Sequence, residues 1–105
     1  MEQLIKAARV AFASEYSFYL KSHYFHWNVE GPNFFEYHSL FETIYTEVYG
    51  VIDEFAEKLR SLKAYAPGSN SKMSMLTHVD DENSVPDQRS MVEELLTDKI
   101  GRAHV

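Results

Sequence analysis

The chain has 105 residues, so it forms one domain at most, and its seven Phe, seven Tyr and one Trp supply apolar surface for a core. Its net charge of −6 argues against a general binder of nucleic acid or anionic membranes and favours the attraction of metal cations. The absence of cysteine excludes disulfides, thiolate zinc sites and thiol catalysis.

The first residues show neither the basic start nor the apolar run of a signal peptide. No segment approaches the ~20 apolar residues of a membrane span. A cytoplasmic protein without membrane segments is therefore the default expectation. A domain this short has little core for its surface, so we expect it to bury further surface against sister subunits.

Residues 1–29 are predicted to form the first helix, because side chains of one stripe recur at spacings of three and four. The stripe consists of Leu4, Ala8, Ala11, Glu15, Phe18, Ser22 and His26. Gly31 and Pro32 then interrupt the pattern and predict a break.

A longer helix is predicted over residues 34–64, where spacings of three and four alternate without a fault. Its face consists of His38, Phe41, Tyr45, Val48, Ile52, Phe55, Leu59 and Leu62. Such a seam suits packing in a helical bundle.

The remainder predicts a long connection and a third helix. Residues 67–71 contain Pro, Gly and Ser and end the second helix, and residues 73–79 are expected to form a short helical turn. The third helix is predicted to start near Pro86, with Ser84 or Asp87 as the candidate cap. These elements predict an all-α fold with three helices and a short helical turn in the long connection between the second and the third.

Four side chains with metal-ligand chemistry lie on the two long helices: His26, His38, Asp53 and Glu57. Imidazole and carboxylate groups suit iron, manganese or zinc. His38 and Asp53 are fifteen residues apart on one predicted helix, which places them roughly 22 Å apart. Ligands of one metal lie only about 2.0–2.2 Å from it. One chain therefore cannot close a site with all four, and two subunits must share it if the four act together.

Each candidate ligand also has a simpler explanation. Asp53 and Glu57 lie four residues apart and could form a solvated acidic face or pair with nearby cations. His38 alone is more often a hydrogen-bonded core histidine, and His26 alone is equally weak as a ligand. His23, one turn before His26, is expected to support the site or to be a partly buried polar residue.

A two-fold axis through the long helix connects these observations. If two antiparallel copies of this helix cross near Tyr45 and Thr46, His38 of one chain lies opposite Asp53 of the other, and two equivalent sites form. The same contact buries the apolar seam, and two-fold contacts are the commonest in oligomers.

Residues 26–34 read His-Trp-Asn-Val-Glu-Gly-Pro-Asn-Phe, followed by His38 and by Asp-Glu-Phe-Ala-Glu-Lys at 53–58. This pattern resembles the signature of the Dps family, the miniferritins also called DNA-binding proteins from starved cells. The resemblance implies a ferritin-like four-helix bundle with a short helix in the long connection, here truncated before the fourth helix. It also implies that twelve copies form a hollow shell that stores ferric mineral and protects against oxidative damage.

By motif position, the resemblance implies a ferroxidase site with His26 and His38 from one subunit and Asp53 and Glu57 from its partner. Each site would take two iron ions and oxidise Fe(II), usually with hydrogen peroxide and otherwise with O2. Trp27 and nearby Tyr24 or Tyr45 could absorb a stray oxidising equivalent, although packing is the favoured role for these aromatic residues.

The chain also departs from the family pattern. Many members carry a Lys-rich tail before the first helix, whereas here only Lys6 and Arg9 lie near that end. We therefore expect weak DNA binding or none, and the ligand set favours a ferroxidase over the alternative, a DNA-compacting structural protein with little ferroxidase activity. A third alternative is a truncated helical protein that does not assemble and has no activity.

Residues 100–105 are expected to be a non-native end, which leaves 1–99 as an incomplete Dps domain. Back-translated, Ile-Gly-Arg-Ala-His-Val looks like a sequencing-library adapter, so His104 is given no role. Ordinary coding sequence with a genuine stop codon would contradict this interpretation.

Overall fold

The computed structural model describes residues 1–103, with side chains through residue 99. Four helices follow one another: α1 (Glu2–Asn28), α2 (Phe34–Ser61), α3 (Asn70–Leu76) and α4 (Gln88–Ala103). This part of the chain contains no strand, and none of its helices is long and apolar enough to cross a membrane. The prediction of an all-α fold with a short helix in the long connection is confirmed.

A short turn over residues 29–33 reverses the chain, so α1 and α2 pack along each other as an antiparallel pair. Near this turn Phe25 and Phe41 are fully buried, with ring centres 5.9 Å apart. Burying a Phe side chain contributes about 1.5–3 kcal/mol. The contact fixes the adjoining helical turns, which carry His26 in α1 and His38 in α2.

Two apolar clusters form the core. The cluster near the turn joins α1, α2 and α4 and consists of Phe18, Phe25, Val29, Phe41, Val48, Val79, Met91 and Leu95. The cluster at the other end joins α1, α2 and α3 and consists of Phe12, Ala13, Leu59, Ala64 and Met73. Helix α4 therefore supports the end of the α1–α2 pair that carries the two histidines.

The connection between α2 and α4 differs from its predicted bounds. Helix α3 begins at Asn70, three residues before the predicted start, because the Ser69 side chain caps it by accepting the Lys72 N–H at 3.2 Å. Helix α2 ends at Ser61 rather than at residue 64, and Lys63 takes a left-handed backbone conformation with φ of 65°. Both differences are local effects at helix ends.

Helix α4 begins two residues after the predicted start near Pro86. Of the two candidate caps, Asp87 is the one used: its Oδ1 accepts the Ser90 N–H at 2.9 Å. Hydrogen bonds from the backbone N–H and then from the side chain of Ser90 lower the pKa of the Asp87 carboxyl. The helix continues across the predicted domain boundary at residue 99 as far as Ala103, and His104 lies outside the described residues.

A buried lysine ties α1 to α4. The Lys21 side chain is 7% exposed, and its Nζ lies 2.9 Å from Asp98 Oδ2 and 3.2 Å from Glu94 Oε1. It also donates to the Asp80 carbonyl at 3.0 Å. Burial alone would lower the pKa of Lys21, but hydrogen bonding and attraction from the two carboxylates outweigh it and raise that pKa.

Gly31 occupies a backbone conformation that other residues adopt at a cost, with φ of 131°. A Cβ added there would also stand 2.9 Å from Gln88 Oε1 at the start of α4. We therefore expect Gly31→Ala to lower the free energy of unfolding by about 1–3 kcal/mol. Urea unfolding followed by circular dichroism measures the change.

The matched control is Gly50→Ala within α2. An added Cβ at Gly50 meets no atom within 4 Å, and alanine favours a helix over glycine by up to about 1 kcal/mol. Gly50→Ala should therefore unfold at the same or a higher urea concentration than wild type. A Gly31→Ala variant as stable as wild type would contradict the role assigned to this turn.

Candidate metal centre

His26 and His38 face each other across the α1–α2 pair and hold each other in place. His26 Nδ1 lies 2.8 Å from the His38 carbonyl oxygen, and His38 Nδ1 lies 2.9 Å from the His26 carbonyl oxygen. Their rings are stacked with centres 3.8 Å apart and an angle of 20° between the planes. His26 and His38, each a weak candidate on its own in the sequence, thus form one hydrogen-bonded pair.

The reciprocal hydrogen bonds determine which nitrogen of each ring can bind a metal. Because a carbonyl oxygen only accepts, each Nδ1 must carry the proton and donate it. The Nε2 of His26 and of His38 is then the nitrogen with a free lone pair. Histidines that bind metals commonly donate their second ring N–H to a backbone carbonyl, which fixes the tautomer and the ring orientation.

Glu42 is a third candidate ligand, and the sequence analysis missed it. One ligand atom from each of His26, His38 and Glu42 lies within 4.8 Å of the others. His26 is buried, His38 is half-buried and Glu42 is exposed, so the group opens to the surface. The sequence did contain a signal for it: Glu42 follows His38 by four residues, and residues four apart on a helix share a face.

Asp53 and Glu57 do not join this group within one chain. Both are exposed on α2, which runs unbroken from Phe34 to Ser61. At 1.5 Å per residue, Asp53 is roughly 22 Å from His38 along the helix axis. The structure therefore brings together the two predicted histidines, and the sharing of a site with Asp53 and Glu57 of a second subunit stays a prediction.

His23 lies beside the two histidines in an aromatic environment. Its ring stacks on Tyr45 with centres 3.8 Å apart and lies 4.2 Å from the Trp27 ring. Burial, and then the charge on His26, lower the pKa of His23. The residue is partly buried and hydrogen-bonded to Tyr19, which agrees with a supporting place next to the site.

Replacement of Glu42 tests its place in the candidate site. Glu42→Gln keeps the size of the side chain but removes the charge, and should weaken Zn(II) binding about tenfold, or about 1.4 kcal/mol. Isothermal titration calorimetry measures the affinity. Glu47→Gln, at an exposed position of α2 outside the ligand group, is the control and should bind as wild type. If both variants bind Zn(II) with equal affinity, Glu42 is not a ligand of the site.

Comparisons with known proteins show which family this chain is similar to. The model described as "Ferritin-like domain" matches residues 5–101. A DNA protection during starvation protein from Brevibacillus brevis is 57% identical over 44 residues, which are 42% of this chain and 30% of that protein. General stress protein 20U of Bacillus subtilis is 40% identical over 76 residues, which are 72% of this chain and 52% of that protein. The chain thus spans about half, or less, of the length of these relatives.

Solved structures show the same likeness. The Dps protein from Vibrio cholerae O1, described as a member of a broad superfamily of ferritin-like diiron-carboxylate proteins, has a TM-score of 0.93 and 31% identity, covering 98% of this chain and 65% of that one. The Dps protein from Bacillus brevis has a TM-score of 0.86 and 31% identity, covering 94% of this chain and 67% of that one. The chain therefore belongs to the ferritin-like superfamily and, within it, to the Dps family of miniferritins.

Proposed function

We propose that this chain is a subunit of an iron-storing, iron-detoxifying shell that oxidises Fe(II) at sites shared between two subunits. Twelve subunits form the shell, hydrogen peroxide is the oxidant, and the ferric mineral is held inside. The compartment is the cytoplasm. The observation that carries the proposal is the reciprocally bonded pair of His26 and His38, whose two Nε2 atoms are free to bind a metal.

Two subunits share the ligand set in this proposal. His26, His38 and Glu42 bind Fe(II) from one side, and Asp53 and Glu57 of the partner subunit complete the site for two ions. A mixed set of imidazole and carboxylate ligands suits iron. The acidic surface, with a net charge of −6, raises the local concentration of Fe(II).

Two irons in one site also account for protection against oxidative damage. Two Fe(II) ions supply both electrons that hydrogen peroxide accepts, and with two protons the products are two Fe(III) ions and two water molecules. A single Fe(II) supplies one electron and leaves a hydroxyl radical. Sites that hold two ions together therefore consume peroxide without releasing that radical.

Stopped-flow mixing of Fe(II) with hydrogen peroxide under anaerobic conditions tests the proposal. Ferric absorbance should rise rapidly with the wild-type protein and fall to the rate of the protein-free reaction with His38→Ala or Asp53→Ala. The physical reason is that each variant lacks one of the few groups able to bind Fe(II). Equal rates in wild type and both variants would exclude the proposed site.

The alternative, a DNA-compacting structural protein, has less support from the chain. Binding to DNA depends on cations that neutralise phosphates, and this chain has 10 Lys and Arg against 16 Asp and Glu. A gel-shift measurement at low and at physiological salt separates the two functions. Tight DNA binding at physiological salt, without Fe(II) oxidation, would favour the alternative.

A further inference from the structure

Three aromatic rings are stacked at the candidate metal centre. The Phe34 ring lies on the His38 ring, with centres 4.9 Å apart and an angle of 23° between the planes. The His38 ring also stacks on His26, with centres 3.8 Å apart and an angle of 20° between the planes. Two rings at these distances cannot share one face of an imidazole, so Phe34 and His26 cover opposite faces of His38.

The start of α2 holds the Phe34 ring in this place. Phe34 is the first residue of the helix, and its backbone N–H donates to the Gly31 carbonyl oxygen at 3.1 Å. Residues four apart on a helix share a face, which brings Phe34 next to His38. The Phe34 ring is 43% exposed and belongs to neither apolar cluster of the core. Packing in the core therefore does not explain its position.

The contacts of His38 restrain its ring in two ways. The hydrogen bond from Nδ1 to the His26 carbonyl oxygen, at 2.9 Å, fixes one edge of the ring. Phe34 and His26, on the two faces, limit rotation of the ring about that hydrogen bond. Nε2, the nitrogen with the free lone pair, then keeps one direction. A ligand that is already held in one direction loses less freedom when it binds a metal, so its affinity is higher.

The Phe34 ring is also electrostatically complementary to a metal-bound imidazole. A phenyl ring has a negative face because of its quadrupole. A divalent cation bound at Nε2 withdraws electron density from the His38 imidazole and makes the faces of that ring more positive. The Phe34 face then attracts the imidazole much as it would attract a cation. A leucine at this position would fill much of the same space but has no such face.

We propose that Phe34 is a positioning residue for the candidate metal centre, which orients the His38 imidazole and stabilises it when Nε2 binds a divalent cation. Phe34 acts through His38 and does not touch the metal. The proposal rests on the proposed function, because that function makes His38 a ligand of Fe(II). It adds to the site a residue whose side chain has no ligand atom.

Isothermal titration calorimetry with Zn(II) tests the proposal on four variants. Phe34→Ala and Phe34→Leu both lack the aromatic face and should weaken binding about two- to fivefold, the range expected for a cation–π contact at an exposed site. Phe34→Tyr keeps the face and should bind as wild type. Phe35→Ala, at the neighbouring position that is 74% exposed, is the matched control and should also bind as wild type. Wild-type affinity in Phe34→Leu would overturn the proposal, because packing would then suffice.

Fluorinated phenylalanines in place of Phe34 separate the electrostatic effect from any change in folding. Each fluorine atom on the ring withdraws electron density and weakens the negative face, while the size of the ring changes little. The Kd for Zn(II) should therefore rise with each added fluorine atom, and the same series in place of Phe35 should leave the Kd unchanged. A constant Kd across the series at Phe34 would overturn the proposal.

Nitrogen NMR of the metal-free protein tests the orientation of His38 independently of the proposed function. The wild-type protein should show the Nδ1–H tautomer of His38 alone, and Phe34→Ala should show both tautomers because the ring can rotate. An unchanged tautomer in Phe34→Ala would overturn the positioning role. If the Phe34 variants behave as expected but the wild-type protein does not oxidise Fe(II), the proposed function fails while the role of Phe34 toward a bound cation stands.

Discussion

A mixture of His38→Ala and Asp53→Ala subunits should recover Fe(II) oxidation that neither variant shows alone. In a dimer of one His38→Ala and one Asp53→Ala subunit, one site contains both altered residues and the other contains neither. Random exchange at equal concentrations makes half of the dimers mixed, so about one quarter of all sites are restored under two-fold symmetry. Stopped-flow ferric absorbance measures the recovered activity.

The same mixture distinguishes a shared site from a site within one chain. If all the ligands of a site belonged to one chain, every site would still contain one altered residue and no activity would return. Subunit exchange must be verified by native mass spectrometry of the two variants. No recovery after verified exchange would therefore refute the site shared between subunits, even if both single variants are inactive.

The sequence predicted the two histidines of the candidate site but missed its third member, Glu42. His26 and His38 are on different helices, and only the short turn at residues 29–33 and the burial of Phe25 against Phe41 bring their rings together. The motif identified both histidines. Their reciprocal bonds to each other's carbonyl oxygens depend on how the two helices cross, which spacing along either helix does not determine.

Helical periodicity predicted the long helices because one face of each packs against the other. It did not predict burial at every position of that face: Leu4 belongs to the predicted stripe of α1 yet is 56% exposed. The bounds of α3 depended on one Ser69 hydrogen bond, a local feature that apolar spacing does not report. The buried charge of Lys21 also lay beyond prediction, since its partners come from α4.

That buried lysine gives the largest expected change in stability. Lys21→Met keeps the length of the apolar stem but leaves Asp98, which is 11% exposed, without its cation. Breaking a buried ion pair by removing one partner costs about 3–5 kcal/mol. Glu94 is 30% exposed, and water will screen its charge, so we expect a loss near the lower limit, about 3 kcal/mol. Urea unfolding at neutral pH measures it.

Two variants show whether the unpaired carboxylates cause the loss. The triple variant Lys21→Met, Glu94→Gln, Asp98→Asn removes all three charges and should recover most of the lost stability, because no buried charge is left unpaired. Lys6→Met, at an exposed position of the same helix, should change the free energy of unfolding by no more than about 0.5 kcal/mol. A triple variant as unstable as Lys21→Met would instead assign the effect to packing.

The dependence on pH gives an independent check of the same ion pairs. The pKa of Lys21 is higher in the folded chain than its ordinary value, so the folded state binds this proton more tightly than the unfolded state does. The stabilisation is therefore complete below the unfolded pKa of about 10.4 and is lost as pH rises through the folded pKa. In that alkaline range the free energy of unfolding of the wild-type protein should fall towards that of Lys21→Met. If the difference between the two free energies stays constant through this range, the charge of Lys21 does not contribute to stability.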